Sequence, residues 1–325
     1  MFYLLCISLC FAAMFIVVAG TSIALLPLQQ MVGATGRRRR PGTTANLIFI
    51  VRTLPFLLGV VAALGLALPA YLEFEPSHTT EMPGLPLLLF AALGVVIVAI
   101  AVARCWRILR TTRTMQIKWL RQVECVSLYC DRIPVYCLES SRSLLAVAGM
   151  LHPRIFMSKD VVGALNAPEL EAALAHELSH VRAGDNLKQF ILKVTRAPRW
   201  LGFASGLDSA WVSTSELAAD EGAIGGGASA LDLSSALIKV GRLSRQGGPS
   251  PEMAASHLVD GCGAATQARA ARLRELLQND CPEHVLQGGE SPAYASIVFA
   301  TLLLIYLVLL TSLPAIHDLL EFLVR

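Results

Sequence analysis

The chain has 325 residues, 54% hydrophobic and only 16% charged, against about 25% charged in an ordinary soluble domain. Its mean hydropathy of +0.58 implies more apolar surface than one water-soluble core of this length can bury. A disordered chain, a collagen-like chain and a simple cytosolic enzyme are excluded, and a net charge of +3 is too small to argue for nucleic acid.

Four stretches are long and apolar enough to span a bilayer, which takes about 20 residues: 3–26, 47–68, 85–103 and 295–313. Arg52 is the one charge inside them, and it reads as snorkelling to the nearby interface; pairing inside the bundle is the sharper alternative. Gln29 and Gln30, Pro69, Arg104 and Pro314 close the four stretches. The loops between them alternate in charge. Arg37, Arg38, Arg39 and Arg40 follow the first, Glu73, Glu75 and Glu81 the second, and Arg104, Arg107, Arg110, Arg113, Lys118 and Arg121 the third. Basic loops stay inside, so both termini are placed outside and residues 107–290 inside, in the cytoplasm. The four arginines beside a span read as a contact with anionic headgroups rather than nucleic acid. The eight cysteines lie in no dense pairing pattern and read as mostly free thiols.

The division that follows is three spans in 1–106, a globular domain in 107–290, and a fourth span with a short tail in 291–325. Within the domain, SLLAVAGM (143–150) and RIFMS (154–158) read as strands. Asn166-Ala-Pro-Glu169 carries a capping box and opens a helix that runs to about Ala183 and ends at Gly184. Further helices are expected over 187–194, 208–223 and 264–278, the last with several arginines that read as a solvated or membrane-facing surface. The segment 246–250 (QGGPS) reads as a flexible loop.

The capped helix contains His176-Glu177-Leu178-Ser179-His180, an HExxH motif. Spacing i, i+4 puts both imidazoles on one helical face, where they can grip one metal ion, and Glu177 beside them can take a proton from water. With seven histidines and fifteen glutamates in the chain, chance supplies roughly 0.007 such motifs. Glu169, Glu171, Arg182 and Asp185 surround it, so the helix is not in lipid. An extended motif with a third histidine at 186 fails, because Ala183 and Asn186 stand where a glycine and that histidine would be needed. The better third ligand is Glu216, with Asp220 one turn on to accept the N–H of a ligand histidine. Asp208, Glu221 and Asp185 compete for the role, although Asp185 more naturally caps or pairs just past the helix end. His152, His257, His284 or an arginine is left to stabilise an oxyanion.

HPRIFMS, APELEAALAHELSHVRAGDN, RAPRW and SELAADEGA together resemble the BlaR/MecR-type membrane zinc metallopeptidases over about residues 143–225. Arg182 and Asp185 match the basic residue and Asp that follow HExxH there. The resemblance implies a gluzincin-like zinc peptidase domain, helices plus a small sheet, within a mainly α membrane protein of four transmembrane helices. It implies one Zn2+ per chain held by His176, His180 and Glu216, with Glu177 as the base and Asp220 supporting a ligand. HtpX-type and CAAX-processing membrane peptidases share HExxH and a later Glu, but the spacing of about 36 positions from His180 to Glu216 favours the first family. The penicillin-binding sensor of its receptors is not expected here.

The function expected is zinc metalloendopeptidase activity in the inner membrane, acting on a peptide or protein substrate, with regulated proteolysis of a repressor as one role. The competing readings are a non-catalytic signalling or scaffold protein on a peptidase-like fold, and an HtpX-type quality-control protease. The strand at 144–149 is expected to offer an edge for an extended peptide. A homodimer is left open.

Overall fold

The computed structural model describes residues 2–27, 40–75, 83–130, 133–139, 144–196, 205–244, 255–257, 269 and 273. Among these the protein is mainly helical, with one small sheet. Three helices, α1 (Phe2–Ala24), α2 (Pro41–Phe74) and α3 (Leu85–Leu120), are long and apolar enough to cross a membrane. The expected fourth span at 295–313 lies outside the described residues.

Two of these helices run past the residues that were expected to end them. Pro69 does not break α2. The helix widens into a π-helical stretch at Val61–Ala67, where the Leu68 N–H reaches back five residues to the Ala63 carbonyl, and the slack turn relieves the clash of a proline ring with the preceding turn. Arg104 does not end α3 either, because arginine is as good a helix former as leucine; hydropathy marks where the apolar window stops, not where the helix does. At 36 residues, α3 is about 54 Å long, well beyond a hydrocarbon core of about 30 Å. Residues 106 and 107 lie within it. The crossing of α1 and α3 is close, since a Cβ at Gly94 would collide with the Phe11 carbonyl.

The far end of α3 delivers Met115, Trp119 and Leu120 onto a five-stranded sheet. Its strands are β1 (Val123–Cys130), β2 (Ile133–Leu138), β3 (Leu145–Ala148), β4 (Arg154–Ser158) and β5 (Ala255–His257), in the order β1-β2-β4-β3-β5. Only the β2–β4 pair is parallel. Strand alternation sends Phe156, Leu138 and Ala148 to the α3 face, where the Trp119 and Phe156 ring centroids lie 5.1 Å apart. Val135, Leu145, Val147, Ile155 and Met157 go to the opposite face, the main peptidase-domain core. The expected substrate edge is corrected here: β3 is internal, because β5 pairs antiparallel with it, Ala146 opposite His257 and Ala148 opposite Ala255.

Five helices complete the domain: α4 (Lys159–Ala164), α5 (Ala167–Ala183), α6 (Asp185–Val194), α7 (Ser205–Gly225) and α8 (Ala230–Ser244). The start of α5 is fixed by the reciprocal capping box, Asn166 and Glu169 each accepting the other's backbone N–H at 2.9 Å. Glu169 also accepts from Lys239 Nζ and Ser235 Oγ on α8, both at 2.6 Å. The stop is Gly184 at φ +69°, a left-handed position that glycine adopts without strain. Leu170, Leu174 and Val181 pack from α5 against the core, as their shared face requires.

Candidate metal centre

The i, i+4 spacing on α5 brings the two histidines onto one buried face; His176, Glu177 and His180 are 0%, 0% and 2% exposed. Opposite them runs α7, which carries Glu216 and Asp220, both buried. The helices approach closely at Gly222, where an added Cβ would come within 2.9 Å of Ser179 Oγ. A larger residue there would hold the two helices apart.

His176 Nε2 and His180 Nε2 are 3.2 Å apart, and Glu216 Oε2 and Oε1 lie 3.6 Å and 3.5 Å from them respectively. A tetrahedral ion with bonds of 2.0–2.2 Å separates its ligand atoms by about 3.3–3.6 Å. Two imidazole nitrogens and the two oxygens of one carboxylate therefore lie near the spacing such an ion requires, and among the described residues these three side chains form the one group placed to hold a metal.

Each histidine is gripped from behind. Asp185 Oδ2 lies 2.7 Å from His180 Nδ1, and Asp220 Oδ1 lies 3.0 Å from His176 Nδ1. A proton on His180 Nδ1 donated to Asp185 leaves that Nε2 lone pair for the metal, while Asp220 sits beside His176 Nδ1 as a charge partner outside hydrogen-bond geometry. Burial alone would lower the histidine pKa values, but the facing carboxylates override it. Asp185 and Glu216 hold His180 at about 10, and Asp220 and Glu216 raise His176. Burial would likewise raise Glu216 and Asp220, yet both are driven well below the usual carboxylate range by the histidines and by Arg269. Arg269 supplies positive charge to both carboxylates.

Of the arginines of 264–278 expected to form a surface, Arg269, the one among the described residues, does not. Its Nη1 lies 2.6 Å from Glu216 Oε2, its Nη2 donates to Asp220 Oδ1 at 2.6 Å, and its Nε donates to Asp220 Oδ2 at 3.0 Å. One buried guanidinium thus clamps both carboxylates of the Glu-x-x-x-Asp helix.

The model of the BlaR1 peptidase M56 family matches residues 67–241, more than half of the chain. The chain belongs to this family. No curated protein matches the chain. The matched M56 segment starts within α2 and ends in α8, so it contains His176, Glu177, His180, Asp185, Glu216 and Asp220, whereas Arg269 stands beyond it.

Of the competing ligands, Asp185 backs His180 instead of joining the metal group, and Asp208 is turned to Arg52 and Arg196. Glu221 is not in the cluster. Arg52 does not snorkel: it is 5% exposed and its Nε donates to Asp208 Oδ1 at 2.9 Å. His152 is exposed, and His257 lies on β5; His284 is outside the described residues. Sequence reasoning missed Arg269 as a site residue and left Asp185 as a generic helix-end pair. For Asp185 a signal existed, since the glycine at 184 turns the chain so that the next residue faces the preceding helical turn.

Proposed function

We propose that the protein is a membrane-embedded zinc metalloendopeptidase in which His176, His180 and Glu216 hold Zn2+ and Glu177 is the general base. The observation that carries this is the convergence of two buried imidazoles and a buried carboxylate, with ligand atoms within 4.8 Å of one another, beside a further buried carboxylate that is not one of the three. Zinc, when bound, would supply Lewis-acid polarisation of the scissile carbonyl and acidify the attacking water.

The chain's own residues do the rest. Glu177 accepts the water proton and passes it to the leaving amine, a transfer that needs a base adjacent to the ligands but free of the metal. Its full burial strengthens every charge interaction it makes. Asp185 fixes the tautomer and orientation of the His180 ring, Asp220 supplies a charge partner beside His176, and Arg269 fixes the Glu216 carboxylate. A non-catalytic scaffold has no use for Glu177 in this place.

The wider reading is a four-span, multi-pass protein of the inner membrane with the peptidase domain in the cytoplasm, supported by the ten Lys and Arg of the two basic segments, 37–40 and 104–121. Its substrate is a peptide segment of a cytoplasmic or membrane protein. Regulated proteolysis of a repressor is the role that the BlaR/MecR resemblance favours over quality control.

The test is cleavage of an unstructured reporter peptide by the full-length protein in detergent. Activity should disappear on chelation, return with zinc, and fall by a factor of about 100–10,000 in Glu177→Gln. Wild-type cleavage by Glu177→Gln would refute the mechanism.

A further inference from the structure

The metal cluster is held on two sides by one and the same apolar helix. The first turns of α2 lie against α6 and α7, with Ala45, Ile48 and Val51 buried against Leu192, Leu207 and Trp211. Two polar contacts flank this patch, and each leads to a residue of the cluster.

On one side, Lys188 Nζ donates to Asn46 Oδ1 at 2.6 Å. The same ammonium lies 3.9 Å from Asp185 Oδ1, and the other oxygen of Asp185 lies 2.7 Å from His180 Nδ1. The path from α2 to His180 therefore crosses only two side chains. On the other side, Arg52 Nε donates to Asp208 Oδ1 at 2.9 Å, while Arg196 Nε lies 3.1 Å from Oδ2. Asp208 stands on α7 eight residues before Glu216, about 12 Å along a rigid helix.

A buried ion pair is weak evidence for stability, because desolvation offsets the Coulomb gain. What it does supply is a fixed geometry. A metal site tolerates ligand displacements of only about 0.2 Å, and here the two elements that aim His180 and Glu216 are referenced to the same helix. A shift of α2 is transmitted to both at once.

We propose that α2 is a positioning element of the metal centre, its Asn46–Lys188 and Arg52–Asp208 contacts holding α6 and α7 so that His180 and Glu216 converge. This rests on the metallopeptidase reading. Arg52 and Asn46 touch neither metal nor substrate and act through Asp208, Lys188 and Asp185.

The test uses the full-length protein in detergent with Arg52→Met, Arg52→Lys, Asn46→Ala and the double variant. Three quantities are read: zinc affinity by competition with a chromophoric chelator, the visible spectrum of the cobalt-substituted protein, and the melting temperature without metal. Arg52→Met and Asn46→Ala should each weaken zinc binding roughly 10-fold, the lower range for loss of support behind a ligand, and should alter the cobalt bands. Arg52→Lys should recover part of the loss. Wild-type affinity and a wild-type cobalt spectrum in both Arg52→Met and Asn46→Ala, with only a lower melting temperature, would overturn the proposal. Should Arg52→Met fail to fold, Asn46→Ala, which removes a half-buried amide and no charge, decides alone. Failure of the wild type itself to bind zinc would instead sink the metallopeptidase reading.

Discussion

Replacing Asp185 separates support of a metal ligand from support of the fold. Asp185 is buried, and its Oδ2 lies 2.7 Å from Nδ1 of His180. Loss of such a partner behind a metal-ligating histidine costs about 10–100-fold in affinity, or about 1.4–2.7 kcal/mol at 1.36 kcal/mol per decade. Asp185→Asn keeps an oxygen able to accept the Nδ1–H but loses the charge, which roughly halves the hydrogen bond. It should fall near 10-fold. Asp185→Ala removes the acceptor and should approach 100-fold. Asp185 also sits in the first turn of α6, where a carboxylate favours the helix by about 0.3–1 kcal/mol, and it is the buried partner of His180, so both variants should also lose melting temperature without metal. Zinc affinity measured against a chromophoric chelator, beside metal-free melting curves, reads the two effects separately. Asp185→Ala binding zinc as tightly as wild type would refute the reasoning.

Arg269→Met should lower the melting temperature of the metal-free protein strongly, because breaking a buried charge cluster costs about 3–5 kcal/mol, and saturating zinc should restore part of it; an unchanged metal-free melting temperature contradicts the clamp. Glu169 tests the capping box by pH. Burial would raise its pKa, but Lys239, Ser235 and the Asn166 N–H hold it at about 2, below its ordinary 4.5. Its contribution is therefore full above pH 4.5 and lost as pH falls toward 2. Glu169→Gln should melt lower than wild type at pH 6, and the gap should narrow on acidification; a gap that is constant with pH speaks against it. For orientation, in a background without the native cysteines, a cysteine at Ser77 should react with an impermeant reagent on intact cells and one at Ser244 should not; the opposite pattern would invert the topology.

What could be read from the sequence was local. HExxH, the Asn166–Glu169 capping box and the Gly184 stop are all set within one helical turn, and the structure carries each of them. Glu216 and Asp220 were legible through the same i, i+4 period. The partners that cross long stretches of chain were not. Arg269 is 53 residues beyond Glu216, and an arginine on an amphipathic segment looks like a solvated face until a second helix is set against it. Arg52 meets Asp208 across 156 positions. The strands β1 and β2 went unread although VECVSLYC and IPVYCL are rich in strand-forming residues. The three residues of β5 carry no strand pattern, so the covering of β3 had no local signal. Pro69 and Arg104 misled because a break in hydropathy is not a break in a helix.

The most direct measurement is the zinc content of the purified full-length chain, wild type beside Glu216→Ala and Glu177→Gln. One zinc per chain is expected in the wild type and in Glu177→Gln, with none retained in Glu216→Ala. Stoichiometric zinc in Glu216→Ala would move the third ligand elsewhere, and a wild-type chain that binds no zinc would contradict the metallopeptidase reading altogether.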